Sequence, residues 1–304
     1  MFLDAEVLND IASELAVDVA FIEKDWYASR ALNAIASIES ENCIVMFSGG
    51  TSLTKAHGLI QRFSEDLDFR CQYAQEMSGN QKKNARRRLK EQVVYAIKNL
   101  GIFEIDKPTP ASNYIKFHLL YKSMFGRHQA LRPHLEIEFS FTQPQLMPVI
   151  KDVTSFVGRF SGKQSEASIP CLSPLEIAAD KLSALSWRII KRDRGSEKDD
   201  PTLVRHLHDL SALYDHIASD MERFELLFKR SYEVDQLTKG KIAGLDPLDA
   251  VGCMVKILKA DALYEVEYER FVASMSYAAD EDQMGFGQAT QHLAQLNKLL
   301  GSKS

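Results

Sequence analysis

FSGGTSLTKAHGLIQRFSEDLDFRC, residues 47–71, is the stretch from which the rest of the chain is read. It ends the apolar run Cys43-Ile44-Val45-Met46-Phe47, which Ser48-Gly49-Gly50 follows. A short apolar run that stops at a glycine pair predicts a buried strand ending in a glycine turn. Thr51 to Leu59 then suits a short helix with hydroxyl residues near its start. Glycine lets backbone approach a ligand closely. A helix N-terminus beside Thr51 and Ser52 suits phosphate oxygens.

Within the same stretch, Asp66-Leu67-Asp68-Phe69 alternates polar and apolar as a strand does. Residues two apart on a strand point to the same side, so both carboxylates share a face. Two such carboxylates repel each other unless a cation lies between them. Hard oxygen ligands of this kind suit Mg²⁺ or Mn²⁺, and Mg²⁺ also holds triphosphate oxygens. A bare Asp-x-Asp is common by chance. This one follows closely on a Gly-Gly-Thr turn and sits in an apolar-flanked strand, which sets it apart from a solvated turn.

Further along, residues 113–121 and 134–141 alternate again, through Tyr114, Ile115, Phe117 and Leu119, then Leu135, Ile137 and Phe139. Both read as sheet strands. The second carries Glu136 and Glu138 on its polar side. A third carboxylate there would complete a two-metal site or act as the base for an incoming hydroxyl. Glu136 by itself reads as part of an exposed strand face.

Helical spacing occupies residues 4–40, ahead of the first strand, and a charged helix runs from Gln81 to Leu100, stopped by Gly101. Lys82, Lys83, Arg86, Arg87 and Lys90 share one face of it. Such a stripe is an ordinary solvated face or a guide for a polyanion such as an RNA end. Ser161 to Ser168 reads as a polar loop. From Pro174 onward helix follows helix, interrupted at 192–201 (RDRGSEKDDP) by what reads as a charged, flexible loop. The expected organisation is a mixed sheet with flanking helices over residues 1–170, then a helical half over 171–304 that completes the active site. That is an α/β (α+β) chain.

Bulk properties agree with a globular protein. The chain has 304 residues, 45% hydrophobic and 26% charged, with a net charge of -5. This does not suit a nucleic-acid binder as a whole but leaves room for a local basic patch. Cys43, Cys71, Cys171 and Cys253 are far apart and form no CxxC pair, which argues against a thiolate zinc site. No leader-like N-terminus and no run of about 18 apolar residues is present, so a cytoplasmic protein without a membrane span is expected.

The residues 49–68 resemble the motif pair of the AbiEii/AbiGii toxin nucleotidyltransferases, a toxin–antitoxin and abortive-infection branch of the polymerase-beta-like superfamily. That family's GGT-x-L, followed by R-x-S-x-D-hydrophobic-D, is matched by Gly49, Gly50, Thr51 and Leu53, then Arg62, Ser64, Asp66 and Asp68. The segment FIEKDWYASRALNAI is similar to one found just before that motif in one branch. RPHLEIEFSF resembles the strand bearing the third acid, here Glu138. SPLEIAADKLSAL resembles the third motif, with Lys181, and VRHLHDLSALY the fourth, with Arg205 and Asp209. The chain departs from the family at Asp180, where glutamate is frequent, and at His206, where many members have aspartate.

The resemblance implies transfer of a nucleotide from an NTP to an acceptor, often a tRNA 3′ end, with growth arrest as the outcome and a cognate antitoxin as partner. It implies catalytic roles for Asp66, Asp68, Glu138, Lys181 and Asp209. Metal would be held by Asp66, Asp68 and Glu138, and nucleotide by Gly49, Gly50, Thr51, Ser52, Arg62 and Ser64. From the residues alone, Lys181 is either a surface lysine or a phosphate-contacting cation. Asp209 is either a surface acid or the partner that orients Lys181 or Arg205.

Overall fold

The structure is a computed structural model, described for residues 3–106, 109–110, 114–126, 128–239 and 244–301. The chain forms two units. One comprises Met1–Gly58 with Phe63–Ser173, and the other Leu59–Arg62 with Pro174–Ser304.

The first unit opens with two helices, α1 (Ala5–Glu14) and α2 (Val19–Ala36). Asp4 and Asp18 cap them, their carboxylates accepting from the N–H groups of Glu6 and Ala20. Then come β1 (Cys43–Ser48), α3 (Gly49–Lys55), β2 (Asp66–Tyr73) and α4 (Gly79–Asn99). Ser78 and Gln81 form a capping box at the start of α4. The remaining elements are β3 (Glu104–Ile105), β4 (Thr109–Pro110), β5 (Tyr114–Leu120), β6 (Leu135–Ser140), β7 (Val149–Val153), α5 (Phe156–Phe160) and β8 (Ala167–Cys171).

Among the described residues, eight strands make one mixed sheet in the order β3-β5-β6-β2-β1-β8-β7, with β4 also on β5. β1 runs antiparallel to β2 and parallel to β8, and β2 runs parallel to β6. Because side chains alternate along a strand, β2, β5 and β6 each have one apolar and one polar side. Phe47, Phe69, Phe139 and Phe117 form a ladder across four neighbouring strands, with successive ring centroids 5.6, 4.9 and 6.0 Å apart. Ala28, Ala31, Leu32 and Ile35 of α2 and Ala85, Leu89, Val93 and Ile97 of α4 belong to the same buried cluster. Each large side chain buried there contributes about 1.5–3 kcal/mol. That apolar face fixes the register, and the register forces Asp66, Asp68, Glu136 and Glu138 onto the opposite side.

Three sequence expectations change here. The glycine pair does not precede the short helix but begins it, and the helix stops at Lys55, not Leu59. The stretch 161–168 is not all loop, because Ala167 and Ser168 already belong to β8. β7 had no clear alternation to mark it, and β8 alternates over only five residues that include Pro170. Residue 113, expected at a strand end, lies outside the described residues.

The second unit is helical. It contains α6 (Pro174–Ile190), α7 (Arg205–Ala212), α8 (Tyr214–Ala218), α9 (Met221–Lys239), α10 (Pro247–Ala260), α11 (Leu263–Met275) and α12 (Phe286–Gly301). Its core includes Leu182, Leu207, Phe224, Phe228, Tyr268 and Leu293. The segment 192–201 is held by charge. Arg192 makes paired bonds to Asp199 and to Glu267 at 2.6–2.9 Å, and Arg194 bonds Asp261 and Glu267. Both guanidinium groups lie over the Tyr264 ring. Its many charges thus serve as partners for α11 and not only for solvent.

Candidate active site

At the end of β1, Gly49 has φ +72°, a left-handed conformation that residues with a Cβ rarely adopt. A Cβ at Gly49 would lie 2.1 Å from Asp68 Oδ2, so the backbone of α3 comes close to that carboxylate. Ser48 does not cap α3, and its hydroxyl donates to the Asp68 carbonyl at 3.2 Å. Thr51 donates to the Asp66 carbonyl, and Ser52 to the Gly49 carbonyl. Thr51 and Ser52 are buried. The Thr51 hydroxyl thus ties the glycine helix to β2, while that of Ser52 closes a bond within α3. The first N–H groups of α3 receive no side-chain cap, which is the condition under which a helix start takes up an anion.

In the parallel pairing of β2 and β6, Asp66 stands opposite Glu136 and Asp68 opposite Glu138. Four carboxylates thus occupy neighbouring positions on one face. Side-chain cations answer them. Arg132 lies 3.1 Å from Asp66 and 3.6 Å from Glu136. Lys116, on β5 across from Glu138, lies 2.8 Å from Glu136 and 3.3 Å from Glu138. Glu136 is therefore not the bare exposed acid expected, but the hub of this charge network. Lys116 and Arg132 hold its carboxyl below the usual range against the opposing effect of burial. Asp66 goes the other way. Burial is the largest influence and raises its pKa, with Glu136 and Glu65 adding to the rise and Arg132 and Lys24 opposing it.

Behind this face, α2 contributes three consecutive buried charges. Lys24 bonds Glu65, the neighbour of Asp66, at 2.6 Å and the Arg132 carbonyl at 3.0 Å. Asp25 pairs with Lys55 at the end of α3 and accepts from the Phe156 N–H. Glu23 accepts from Ser123 and from the Met124 N–H. One helix turn thereby ties together the glycine helix, the start of the acidic strand and the loop before β6. This is the physical content of the Glu-Lys-Asp-Trp segment.

In the second unit, Asp209 is fully buried and accepts two bonds from Arg62, each 2.7 Å long. Lys181 Nζ lies 2.8 Å from the same carboxylate. Arg62 and Lys181 hold the Asp209 carboxyl well below the usual range although burial opposes them. Burial lowers the pKa of Lys181, and Asp209 counters it. Lys181 is thus not a surface lysine, nor Asp209 a surface acid. Arg205 pairs with Asp200 at 3.0 Å. Burial drives the His206 pKa well below the usual imidazole value, with Lys181 and Arg205 adding to the fall.

The family described as "Nucleotidyl transferase AbiEii toxin, Type IV TA system" matches residues 30–293. The chain is a member of the AbiEii nucleotidyltransferase toxin family. It is therefore a nucleotidyltransferase toxin of a type IV toxin–antitoxin system, with an NTP as substrate and an antitoxin as counterpart. No curated protein matches it in sequence. Its fold is similar to that of MenT4, a nucleotidyltransferase toxin from Mycobacterium tuberculosis H37Rv. The TM-score is 0.53 at 16% identity, with 97% of this chain and 98% of that one covered. Among the described residues, no helix is long and apolar enough to cross a membrane.

The toxin's expected site residues fall into two groups. Asp66, Asp68 and Glu138 share a sheet face, with Gly49 against Asp68 and Ser64 half-buried just before β2. Arg62, Lys181 and Asp209 form the buried triad of the second unit. Sequence reading missed Arg132 and Lys116, and it marked the α2 charges only through the resemblance of the segment that holds Glu23, Lys24 and Asp25. The alternation Tyr114-Ile115-Lys116-Phe117-His118, mirrored against Leu135 to Phe139, carried the signal for Lys116. Nothing local marked Arg132. Of the basic stripe, Arg86 bonds the Tyr73 hydroxyl at 3.2 Å and lies over Phe141, while Lys83 and Arg87 are exposed.

Gly49→Ala tests the close approach in the toxin. It is expected to lower the melting temperature and to cost about a hundredfold or more in transfer, because the new methyl must displace the Asp68 carboxylate. Gly58→Ala is the control: its φ is +64° but nothing lies within 4 Å of its Cβ position. It should show only the backbone cost of about 1–2 kcal/mol. Equal kinetics in the two variants would refute the collision with Asp68.

Proposed function

We propose that this toxin moves a nucleotide from an NTP to the 3′ end of a tRNA, in a reaction that depends on Mg²⁺ or Mn²⁺, and so arrests growth. The observation that carries this reading is the in-register row Asp66, Asp68, Glu136 and Glu138, answered by Arg132 and Lys116. A half-exposed set of hard oxygen donors, already offset by positive side chains, fits a divalent cation. Asp66, Asp68 and Glu138 would hold the ion. When bound, it neutralises charge on the triphosphate and polarises the phosphoryl oxygens.

The toxin's own groups do the rest. The N–H groups at Gly49 and Gly50 take phosphate oxygens, while Thr51 and Ser52 hold that backbone in place. Ser64 offers a further hydroxyl to the nucleotide. Glu138 accepts the proton of the acceptor hydroxyl. The acceptor oxygen bonds to the α-phosphorus as the bond to pyrophosphate breaks, and pyrophosphate leaves. Lys181 and Asp209 keep catalytic roles in this reading, with Arg62 acting through Asp209, which holds the Lys181 ammonium. An ammonium has three donors, and Asp209 takes one.

Purified toxin incubated with each α-labelled NTP and total tRNA is the direct test. Label is expected on tRNA, and periodate oxidation of the tRNA 3′ end should abolish it. Label on protein or on a small molecule with tRNA left unlabelled would overturn the acceptor assignment. Lys181→Met probes the second unit. A charge-assisted phosphate contact of about 1.5–3 kcal/mol corresponds to roughly ten- to a hundredfold in kcat/KM for the triphosphate. The acceptor's KM should not move. The melting temperature should also fall, since Asp209 loses one of its partners. A stability loss with unchanged kinetics per folded molecule would confine Lys181 to a structural role.

A further inference from the structure

On β5 and around the start of β6, at the edge of the acidic row and sharing Glu136 with it, three side chains of metal-ligating type meet. They are His118, His134 and Glu136, each half-buried, with one ligand atom from each lying within 4.8 Å of the others. We propose that these three bind a late first-row transition-metal dication such as Zn²⁺, at a site separate from the Mg²⁺-type site assigned to Asp66, Asp68 and Glu138.

The geometry is built by the sheet. His118 and Glu136 are direct cross-strand partners on β5 and β6, so their side chains leave the same face side by side. His118 Nε2 lies 3.2 Å from Glu136 Oε2, and the His118 and His134 rings are 4.4 Å apart between centroids. Tetrahedral zinc with bonds of about 2.0–2.1 Å holds its ligand atoms roughly 3.3 Å apart. The His118–Glu136 pair already has that separation. His134, just before the strand, has a ligand atom within 4.8 Å of both, so its side chain must move in to close the third edge. Three protein ligands leave the fourth position to water.

The donor set selects the class of metal. Two imidazoles and one carboxylate suit zinc, nickel, copper or cobalt, whereas Mg²⁺ keeps to oxygen ligands and its own water. The two neighbouring cations set the strength. Lys116 bonds Glu136 Oε1 at 2.8 Å and leaves Oε2 facing the histidine. Arg132 lies 3.6 Å from Oε2 but is nearer to Asp66, at 3.1 Å, so it has a partner to keep when a dication arrives. Their repulsion weakens binding without removing a ligand. On the function proposed above, a dication here would also repel Arg132 toward Asp66 and so depress transfer.

Zinc chloride titrated into the full chain, followed by calorimetry and by its effect on the melting temperature, tests the site without reference to activity. Cobalt(II) chloride, read by visible absorption, reports the coordination directly. The parent should bind one more equivalent of zinc than His134→Gln or His118→Gln, and the zinc-dependent rise in melting temperature should vanish in both. Each variant's metal-free melting temperature checks that it is folded. The double variant Asp66→Asn, Asp68→Asn should keep the histidine-dependent equivalent. Identical zinc stoichiometry and affinity in the parent and both histidine variants would overturn the proposal. So would loss of that equivalent in the aspartate double variant with the histidine variants unaffected. An inactive but zinc-binding parent would count against the proposed function and leave this site standing.

Discussion

Asp68→Asn is expected to lose at least about a thousandfold in nucleotide transfer. An amide cannot replace an ionised ligand, and the metal contributes several kcal/mol to the transferring phosphoryl group. Asp66→Asn should lose as much, but its stability makes it the more telling variant. Burial raises the Asp66 pKa in the fold, with help from Glu136 and Glu65 and against Arg132 and Lys24. A raised folded pKa means that this group's stabilising contribution is complete below the unfolded value and is lost as pH rises through the folded one. Above its folded value the ionised Asp66 therefore costs stability in the metal-free fold. Asp66→Asn should melt at or above the parent without metal, and it should gain less on addition of Mg²⁺. Labelled-NTP incorporation beside melting curves with and without Mg²⁺ reads both effects. Full transfer by either variant would sink the assignment of the acids.

The largest stability effect is expected at Asp209. Its carboxylate is fully buried and serves both Arg62 and Lys181. Asp209→Asn leaves two buried cations without a counter-charge, and breaking a buried pair in this way costs about 3–5 kcal/mol. The sign of the pH dependence follows from the depressed Asp209 pKa. That contribution is present above the unfolded carboxylate value and is lost as pH falls through the folded one. The parent should thus lose stability in acid more steeply than Asp209→Asn, which lacks the group. Urea unfolding of both proteins at neutral pH and in the acid range measures this. Parallel curves at every pH would show that the triad carries none of the stability assigned to it.

The central sheet and the acid pair were legible because both rest on short-range rules. Alternation in Asp66 to Phe69, Tyr114 to Leu119 and Leu135 to Phe139 is a direct consequence of strand geometry, so it named the strands and the side each carboxylate takes. β7 escaped because its alternation is weak, with Ile150 exposed, and β8 because it is a five-residue strand that carries Pro170. The glycine helix was placed two residues late. Left-handed Gly49 lets the helix begin at the turn itself, and the carboxylate that makes glycine necessary there arrives 19 residues later.

By itself the sequence determined the strand–glycine–helix–strand order, the face shared by Asp66 and Asp68, and the helical character after Pro174. Each of these follows from side-chain period and backbone preference over a few residues. Tertiary structure alone decided which charges meet. Arg62 reaches Asp209 across 147 positions, Lys24 reaches Glu65 across 41, and Glu136 becomes a hub only because β5 brings Lys116 and His118 beside it. A buried charge is stable only with its partner, and that partner is set by packing at long range, where no local pattern in the sequence records it.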